Sequence, residues 1–438
     1  MIKYILIVFS FLTVSLNAQH TVSGTFSPAK KYPWLLVYKL DPYTLAFAQD
    51  TPIKNGKFSI TFPKTSTKGT YRFVYGLPQD EFYFDVIYNG TENIEFSFEA
   101  TKGVSFITSE DNKIYSSYFR EINKQEQKIL NFYSAKKTDR KEFKTLTEEL
   151  NKIQTSFELQ SKDCLSHSFI VANNPYIPAN YESSNDYLLH KKEAFFRKLD
   201  FTNTTLQHSR FLSDKIFNYL QLSSNLEQNS ISKAEKSGRL KQVSTQLKGT
   251  KDAFKTQIFY TLWQQLTNIK DNSAADYIYD SYLKNLALKL KKETIIKTIE
   301  IHQKLRFGAI APEITWNKGA DEKKLSNLKG ADHYVVVFWS SGCPHCLKEL
   351  PSLQKGIKGI SKVTTLAIGL EDNAINWTKE SGKLPDFKHA LALGKWDSKY
   401  VGMYAITQTP SYFILDKNKK IVAKPEDYKG VVSFLNKK

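Results

Sequence analysis

Cysteine is scarce, with three in 438 residues, too few for a disulfide-stapled scaffold. Glycine and proline together supply 33 residues, which excludes a collagen-like repeat or a low-complexity linker. Charge is plentiful but unclustered: the net charge is +18, yet no run of Lys or Arg exceeds two residues. A nucleic-acid binder is expected to show a basic stripe. Here residues 19–100 carry 8 basic and 8 acidic side chains, 101–305 carry 32 and 23, and 306–438 carry 21 and 13. The excess reads as a solvated basic surface, and no nucleic acid is expected as a partner. Aromatic residues are abundant at 13% (24 Tyr, 29 Phe, 6 Trp), enough for sizeable cores. At about 150 residues per domain the chain is long enough for two or three domains.

The N-terminus has a basic Lys3, then a short apolar stretch from Tyr4 to Leu16, then small Ala18. That pattern reads as a cleavable signal peptide over residues 1–18, too short for a comfortable transmembrane helix. No cysteine follows it and no later segment reaches membrane-spanning length. The mature chain is therefore expected in the periplasm, an oxidising compartment, with no stable membrane anchor.

Three regions differ in pattern. Residues 19–100 read as a small all-β sandwich. Phe58-Ser-Ile-Thr-Phe62 alternates apolar and polar, Asn55-Gly56 and Asn89-Gly90 signal tight turns, and further strands are read at 72–75, 81–88 and 94–98. Residues 101–305 read as an all-α region of six or seven helices. Phe254, Ile258, Leu262, Leu266 and Ile269 recur at helical spacing, and Leu283, Leu286, Leu290 and Ile299 are read as a later helix. The histidines of this region are scattered with no ligand spacing, so no metal is expected. Lone Cys164 reads as a small buried hydrophobe. Residues 306–438 alternate strand and helix, an α/β layer. Tyr334-Val-Val-Val-Phe338 is a continuous apolar run, as in a strand buried on both faces.

The chemistry sits after that run. Strand 334–338 leads through Trp339-Ser-Ser-Gly to Cys343-Pro344-His345-Cys346, and a helix is expected from Leu347 to about Ile357. Two cysteines separated by two residues at a strand-to-helix junction form a redox dithiol. The first cysteine lies where free N–H groups and the helix dipole favour a thiolate, the nucleophile of disulfide exchange. The second is placed to resolve the mixed disulfide. Zinc needs four ligands, and the remaining cysteine, Cys164, is far away in sequence. His345 is read as lowering the Cys343 pKa.

The last 130 residues resemble a thioredoxin-fold domain of the TlpA/ResA type. Gly308-x-x-Ala311-Pro312, Phe338-Trp339, Pro351 and Thr409-Pro410 all match motifs of that group. The resemblance implies a cis Thr409–Pro410 bond beside the dithiol, and Thr409, Pro410 and Trp339 as substrate-binding residues. It also implies an extra β-α insertion and no metal or organic cofactor. Three positions depart from plain thioredoxin: Gly342 replaces a tryptophan, Val337 stands where a buried acid is usual, and Pro-His is the dipeptide of DsbA-type oxidases. Glu371, at a strand end where ResA-type proteins place a glutamate, is read as a proton acceptor for Cys346. The whole arrangement resembles Bacteroidetes exported proteins in which domains of unknown function precede a TlpA-like domain. Together these imply a reductase of disulfide-containing envelope proteins, in the family including apocytochromes before haem attachment, recycled by a membrane redox partner. A DsbA-like oxidase or isomerase and an envelope binding protein with an accessory redox domain are the alternatives. A peroxidase is disfavoured because both cysteines lie in one Cys-x-x-Cys.

Overall fold

A computed structural model describes residues 20–42, 44–223, 231–318 and 321–437. The leader segment read at 1–18 lies outside the described residues. The chain divides into two compact units, residues 1–290 and 291–438.

The first unit begins with eight strands: β1 (His20–Ser27), β2 (Trp34–Leu40), β3 (Leu45–Pro52), β4 (Lys57–Phe62), β5 (Gly69–Val74), β6 (Tyr83–Tyr88), β7 (Ile94–Glu99) and β8 (Gly103–Phe106). They form two four-stranded sheets, ordered β4-β1-β7-β8 and β3-β2-β5-β6. β4 alternates as its sequence requires, with Phe58, Ile60 and Phe62 inward. Each such burial is worth about 1.5–3 kcal/mol. Phe26, Phe73, Phe96 and Phe98 complete an aromatic core. A side chain at Gly24 would lie 2.6 Å from the Phe96 carbonyl oxygen, so only glycine lets β1 approach β7 here. Asn55 and Gly56 both take positive φ, as their turn demands, and Lys54 and Lys57 exchange both backbone hydrogen bonds. The strands flanking this turn belong to different sheets, so it turns a corner of the sandwich instead of closing a hairpin.

Ten helices follow in this unit: α1 (Glu110–Ser134), α2 (Arg140–Gln160), α3 (Ser166–Ala172), α4 (Ser184–Glu193), α5 (Thr204–Gln207), α6 (Phe211–Gln221), α7 (Lys233–Gln246), α8 (Asp252–Asn268), α9 (Asn272–Ile278) and α10 (Lys284–Lys289). α11 (Glu293–Leu305) opens the second unit. Among the described residues these are eleven helical segments where six or seven were expected. The surplus is short segments, whose one or two turns carry no readable period. The residues expected to share one late helix are also split: Leu283 lies in a π-helical turn, Leu290 ends α10, and Ile299 belongs to α11. α1 is stitched to the sandwich through Asn112, whose side chain accepts from the Ile87 N–H at 2.8 Å and donates to the Ile87 carbonyl at 2.7 Å. Among the described residues no helix is long and apolar enough to cross a membrane.

The second unit adds β9 (Thr315–Lys318), β10 (Asp321–Lys324), β11 (His333–Trp339), α12 (Pro344–Ile357), β12 (Val363–Glu371), α13 (Ile375–Ser381), β13 (Lys388–Leu393), α14 (Lys399–Met403), β14 (Ser411–Asp416), β15 (Ile421–Ala423) and α15 (Tyr428–Asn436). Its five-stranded sheet runs β13-β12-β11-β14-β15. β11, β12 and β13 are parallel, β14 runs antiparallel to β11, and β15 runs antiparallel to β14. β11 is central and buried on both faces, which is why its run is continuous. Tyr334, Val336 and Phe338 enter one core, and Val335, Val337 and Trp339 the other, under α12. α13 and β13 supply the implied β-α insertion.

Candidate active site

The C-terminal end of β11 is followed by four residues, Ser340–Cys343, that turn the chain into α12. Cys343 is the N-cap of α12, and its sulfur accepts the Cys346 N–H at 3.2 Å. Pro344 occupies the first helical position, where a missing N–H costs nothing. One turn of helix brings the two sulfurs to 2.6 Å, both as free thiols. The Thr409–Pro410 bond is cis, and the Thr409 carbonyl oxygen lies 3.5 Å from the Cys343 sulfur. Gly342 is exposed beside them, and a side chain there would meet only the Ser340 hydroxyl, at 3.8 Å.

The two thiols are unequal. Cys343 is partly exposed, whereas Cys346 is fully buried. Desolvation works against a Cys343 thiolate. The hydrogen bonds from the Cys346 thiol and N–H, with those of Thr409 and the His345 N–H, outweigh it and hold Cys343 below the usual thiol value. Burial, reinforced by Cys343, pushes the Cys346 thiol up to about 12. The outer sulfur is thus disposed to be nucleophile and the inner one to be a protonated reserve.

His345 touches Cys343 through its backbone N–H. Its imidazole turns the other way and pairs through Nε2 with Glu349 Oε1 at 3.1 Å. Glu349 was not singled out from the sequence. It lies one turn beyond Cys346, buried, and its other oxygen accepts from the Tyr412 hydroxyl at 2.7 Å and the Tyr428 N–H at 3.3 Å. Tyr412 lies within electrostatic reach of Cys346. An acid three residues after the second cysteine shares its helix face, and that spacing is the signal that could have found it.

Glu371 is also buried, at the end of β12. Trp339 pairs with Gly369, so Glu371 extends two residues past the register of β11. Its carboxylate accepts the Ser341 N–H at 2.5 Å and the Ser340 hydroxyl at 3.4 Å, bracing the loop before Cys343. It makes no hydrogen bond to either sulfur among the described residues. Trp339 shares the face of Val335 and Val337 and is 1% exposed beneath α12. Strand alternation therefore makes it part of the site's floor and keeps it from touching substrate, contrary to the expectation for it.

Residues 307–424 match the model of the AhpC/TSA family. The thiol-disulfide oxidoreductase ResA of Bacillus cereus is 28% identical over 128 residues, 28% of this chain and 70% of that protein. The second unit is a ResA/TlpA-type thiol-disulfide oxidoreductase domain. ResA of Bacillus anthracis aligns over the same part, 26% identical across 126 residues, 27% of this chain and 69% of that protein. Among solved structures, the thioredoxin domain of a Bacteroides vulgatus thiol-disulfide oxidoreductase is 28% identical, covering 30% of this chain and 97% of its own, with a TM-score of 0.28. A thioredoxin-like protein from Bacteroides caccae is 17% identical over 60% of this chain and 96% of its own, with a TM-score of 0.38. In the ResA/TlpA-type domain of this chain, the two thiols and the cis-proline loop meet at the start of α12, with Glu349 one turn further along it.

Proposed function

We propose that the protein is an exported thiol-disulfide reductase acting on disulfides of envelope proteins in the periplasm. The observation that carries this reading is the asymmetry of the pair: an accessible Cys343 held below the usual thiol value above a buried Cys346 pushed up to about 12. The Cys343 thiolate attacks one sulfur of a substrate disulfide, forming a mixed disulfide and releasing the other sulfur as a thiolate. Thr409 and Pro410 flank the attacking sulfur and offer a backbone edge to the substrate strand. Glu349 then takes the Cys346 proton, and Cys346 attacks Cys343. That releases the second substrate thiolate and leaves the domain with a Cys343–Cys346 disulfide. Two electrons have passed to the substrate. A membrane dithiol partner must return them, and apocytochromes before haem attachment are one substrate class in this reading.

The low Cys343 pKa also favours a second reading, because a stabilised thiolate makes a pair more oxidising. The reduction potential in a glutathione or dithiothreitol buffer separates the two. A value near the thioredoxin end, about −270 mV, is expected for the reductase; a value near that of DsbA, about −120 mV, would make the protein a disulfide donor.

A further inference from the structure

Resolution of the mixed disulfide releases a proton where water does not reach. Cys346 is fully buried and Glu349 nearly so. In the reduced domain the Cys346 thiol donates to the Cys343 sulfur at 2.6 Å. Once Cys343 is bonded to substrate it carries no thiolate to receive that proton. Glu349 lies one turn along α12 from Cys346, and the Tyr412 hydroxyl is within electrostatic reach of both. Taking the proton leaves Glu349 neutral, so it must lose that proton before it can act again.

The neighbours of Glu349 differ in what they can do with a proton. The Tyr412 hydroxyl donates to Oε2 at 2.7 Å, but it is buried. Burial, reinforced by the hydrogen bond to Glu349, pushes its pKa up, so it keeps its own proton. The Tyr428 N–H donates to the same oxygen at 3.3 Å, and an amide nitrogen is a donor only. Asp427, just before α15, also bears on Tyr412, and its carboxylate caps that helix through the Gly430 N–H. At the other oxygen, Oε1, stands the His345 Nε2, 3.1 Å away. The His345 side chain is 66% exposed, against 8% for that of Glu349. Among the described residues that touch Glu349, His345 alone combines a nitrogen able to accept a proton with a face in water. Imidazole is the side chain suited to passing protons near neutral pH. The helix builds the pair, since residues four apart share a face.

We propose that His345 is the proton port of the dithiol, carrying protons between Glu349 and solvent. This rests on the reading of Glu349 as the base for Cys346. As the Cys346 sulfur attacks Cys343, its proton passes to Glu349 and the bond between Cys343 and substrate breaks, releasing the substrate thiolate. The Glu349 carboxyl then gives the proton from Oε1 to a bare Nε2 of the exposed ring, whose tautomers exchange through water. The imidazolium loses its Nδ1 proton to water or buffer, and Glu349 is a carboxylate again. When the Cys343–Cys346 disulfide is reduced, the route runs in reverse. The His345 imidazole is thus a positioning residue that acts through Glu349. Its backbone N–H, which bonds Cys343, stays in place when the side chain is replaced.

The test follows single-turnover resolution in the full-length protein by rapid quench with a fluorescent disulfide peptide, in dilute buffer. His345→Gln keeps a donor to Glu349 but passes no proton, and His345→Ala opens space for free imidazole. Both should slow resolution about tenfold, less than loss of the base itself because water still reaches the pair at intervals. The first attack should stay within about twofold of wild type. Added imidazole should restore His345→Ala in proportion to its concentration and leave the wild type unchanged. The double variant Glu349→Gln with His345→Gln should be no slower than Glu349→Gln alone, because the port serves only the base. Thermal unfolding checks the fold of each variant. Resolution in His345→Gln within about twofold of wild type overturns the proposal. So does His345→Ala that imidazole does not restore, a double variant slower than Glu349→Gln, or a loss confined to the first attack, which would make His345 a tuner of Cys343. Wild-type resolution in Glu349→Gln instead removes the base, and the port with it; slow resolution there beside normal His345→Gln removes the port alone.

Discussion

Replacing Glu349 with glutamine isolates the second half of the exchange reaction. Glutamine keeps the shape of the side chain and an oxygen that accepts from the Tyr412 hydroxyl and the Tyr428 N–H. It removes the charge facing His345 and the capacity to take a proton. Burial pushes the Cys346 thiol up, so in the mixed disulfide few molecules carry the resolving thiolate unaided. A positioned base typically contributes about 10²–10⁴ to such a step. Glu349→Gln should therefore slow resolution about 100-fold or more. The first attack should change by less than about threefold, because the Cys343 thiolate is held by the Cys346 thiol and N–H, Thr409 and the His345 N–H, none of which is altered. The two steps separate in a rapid-quench experiment with a fluorescent disulfide peptide, scoring mixed disulfide and free enzyme by mass. The mutant should accumulate the Cys343 adduct. A slowed first attack with no adduct, or resolution within about threefold of wild type, would refute Glu349 as the base.

Four further outcomes follow from the geometry. Alkylation of the reduced protein should titrate below the ordinary thiol range, because Cys343 is lowered. The reduced domain should lose stability as pH rises from about 8.5 towards about 12. Over that window the unfolded chain ionises Cys346 and the folded one does not, so the unfolded state binds fewer protons; the depressed Cys343 acts oppositely, its stabilisation present above the unfolded thiol value and lost as pH falls. Chemical denaturation at several pH values measures this, and stability constant or rising over the window would contradict it. Glu371→Ala leaves the buried Ser341 N–H without its acceptor, which should cost about 1–3 kcal/mol in thermal unfolding, while Glu371→Gln retains an acceptor and should cost much less. Equal losses would show that the loop is held by something else. Gly369→Ala puts a methyl group 2.3 Å from the Trp377 ring, and overpacking of this kind costs about 1–3 kcal/mol; unchanged unfolding would mean the indole yields freely.

What was legible in the sequence was whatever is local. The run Tyr334–Trp339 announces a central strand because both its faces are buried, and Cys343-Pro344-His345-Cys346 announces its chemistry because one helical turn suffices to bring the sulfurs together. Expectation failed where meaning depends on a distant partner. Trp339 reads as a substrate contact until the parity of β11 sends it under α12. Glu349 reads as one more acid on a solvated helix face until Tyr412, 63 residues away in the chain, closes over it. β9 and β10, with sequences TWNK and DEKK, carry no apolar alternation to betray a hairpin.

The same reasoning explains why a cavity of the first unit was not legible in the sequence. Its ring-walled space draws on β5, β6, β8, α1, α3 and α6, spread from Thr70 to Lys215. No two of its charged residues fall in a motif, and Arg210, Asp214 and Lys215 read as an ordinary helix start. A redox site can be written in four consecutive residues because its reaction needs two sulfurs and a helix end. A cavity is written in surfaces, and its residues become neighbours only when sandwich and helices fold together.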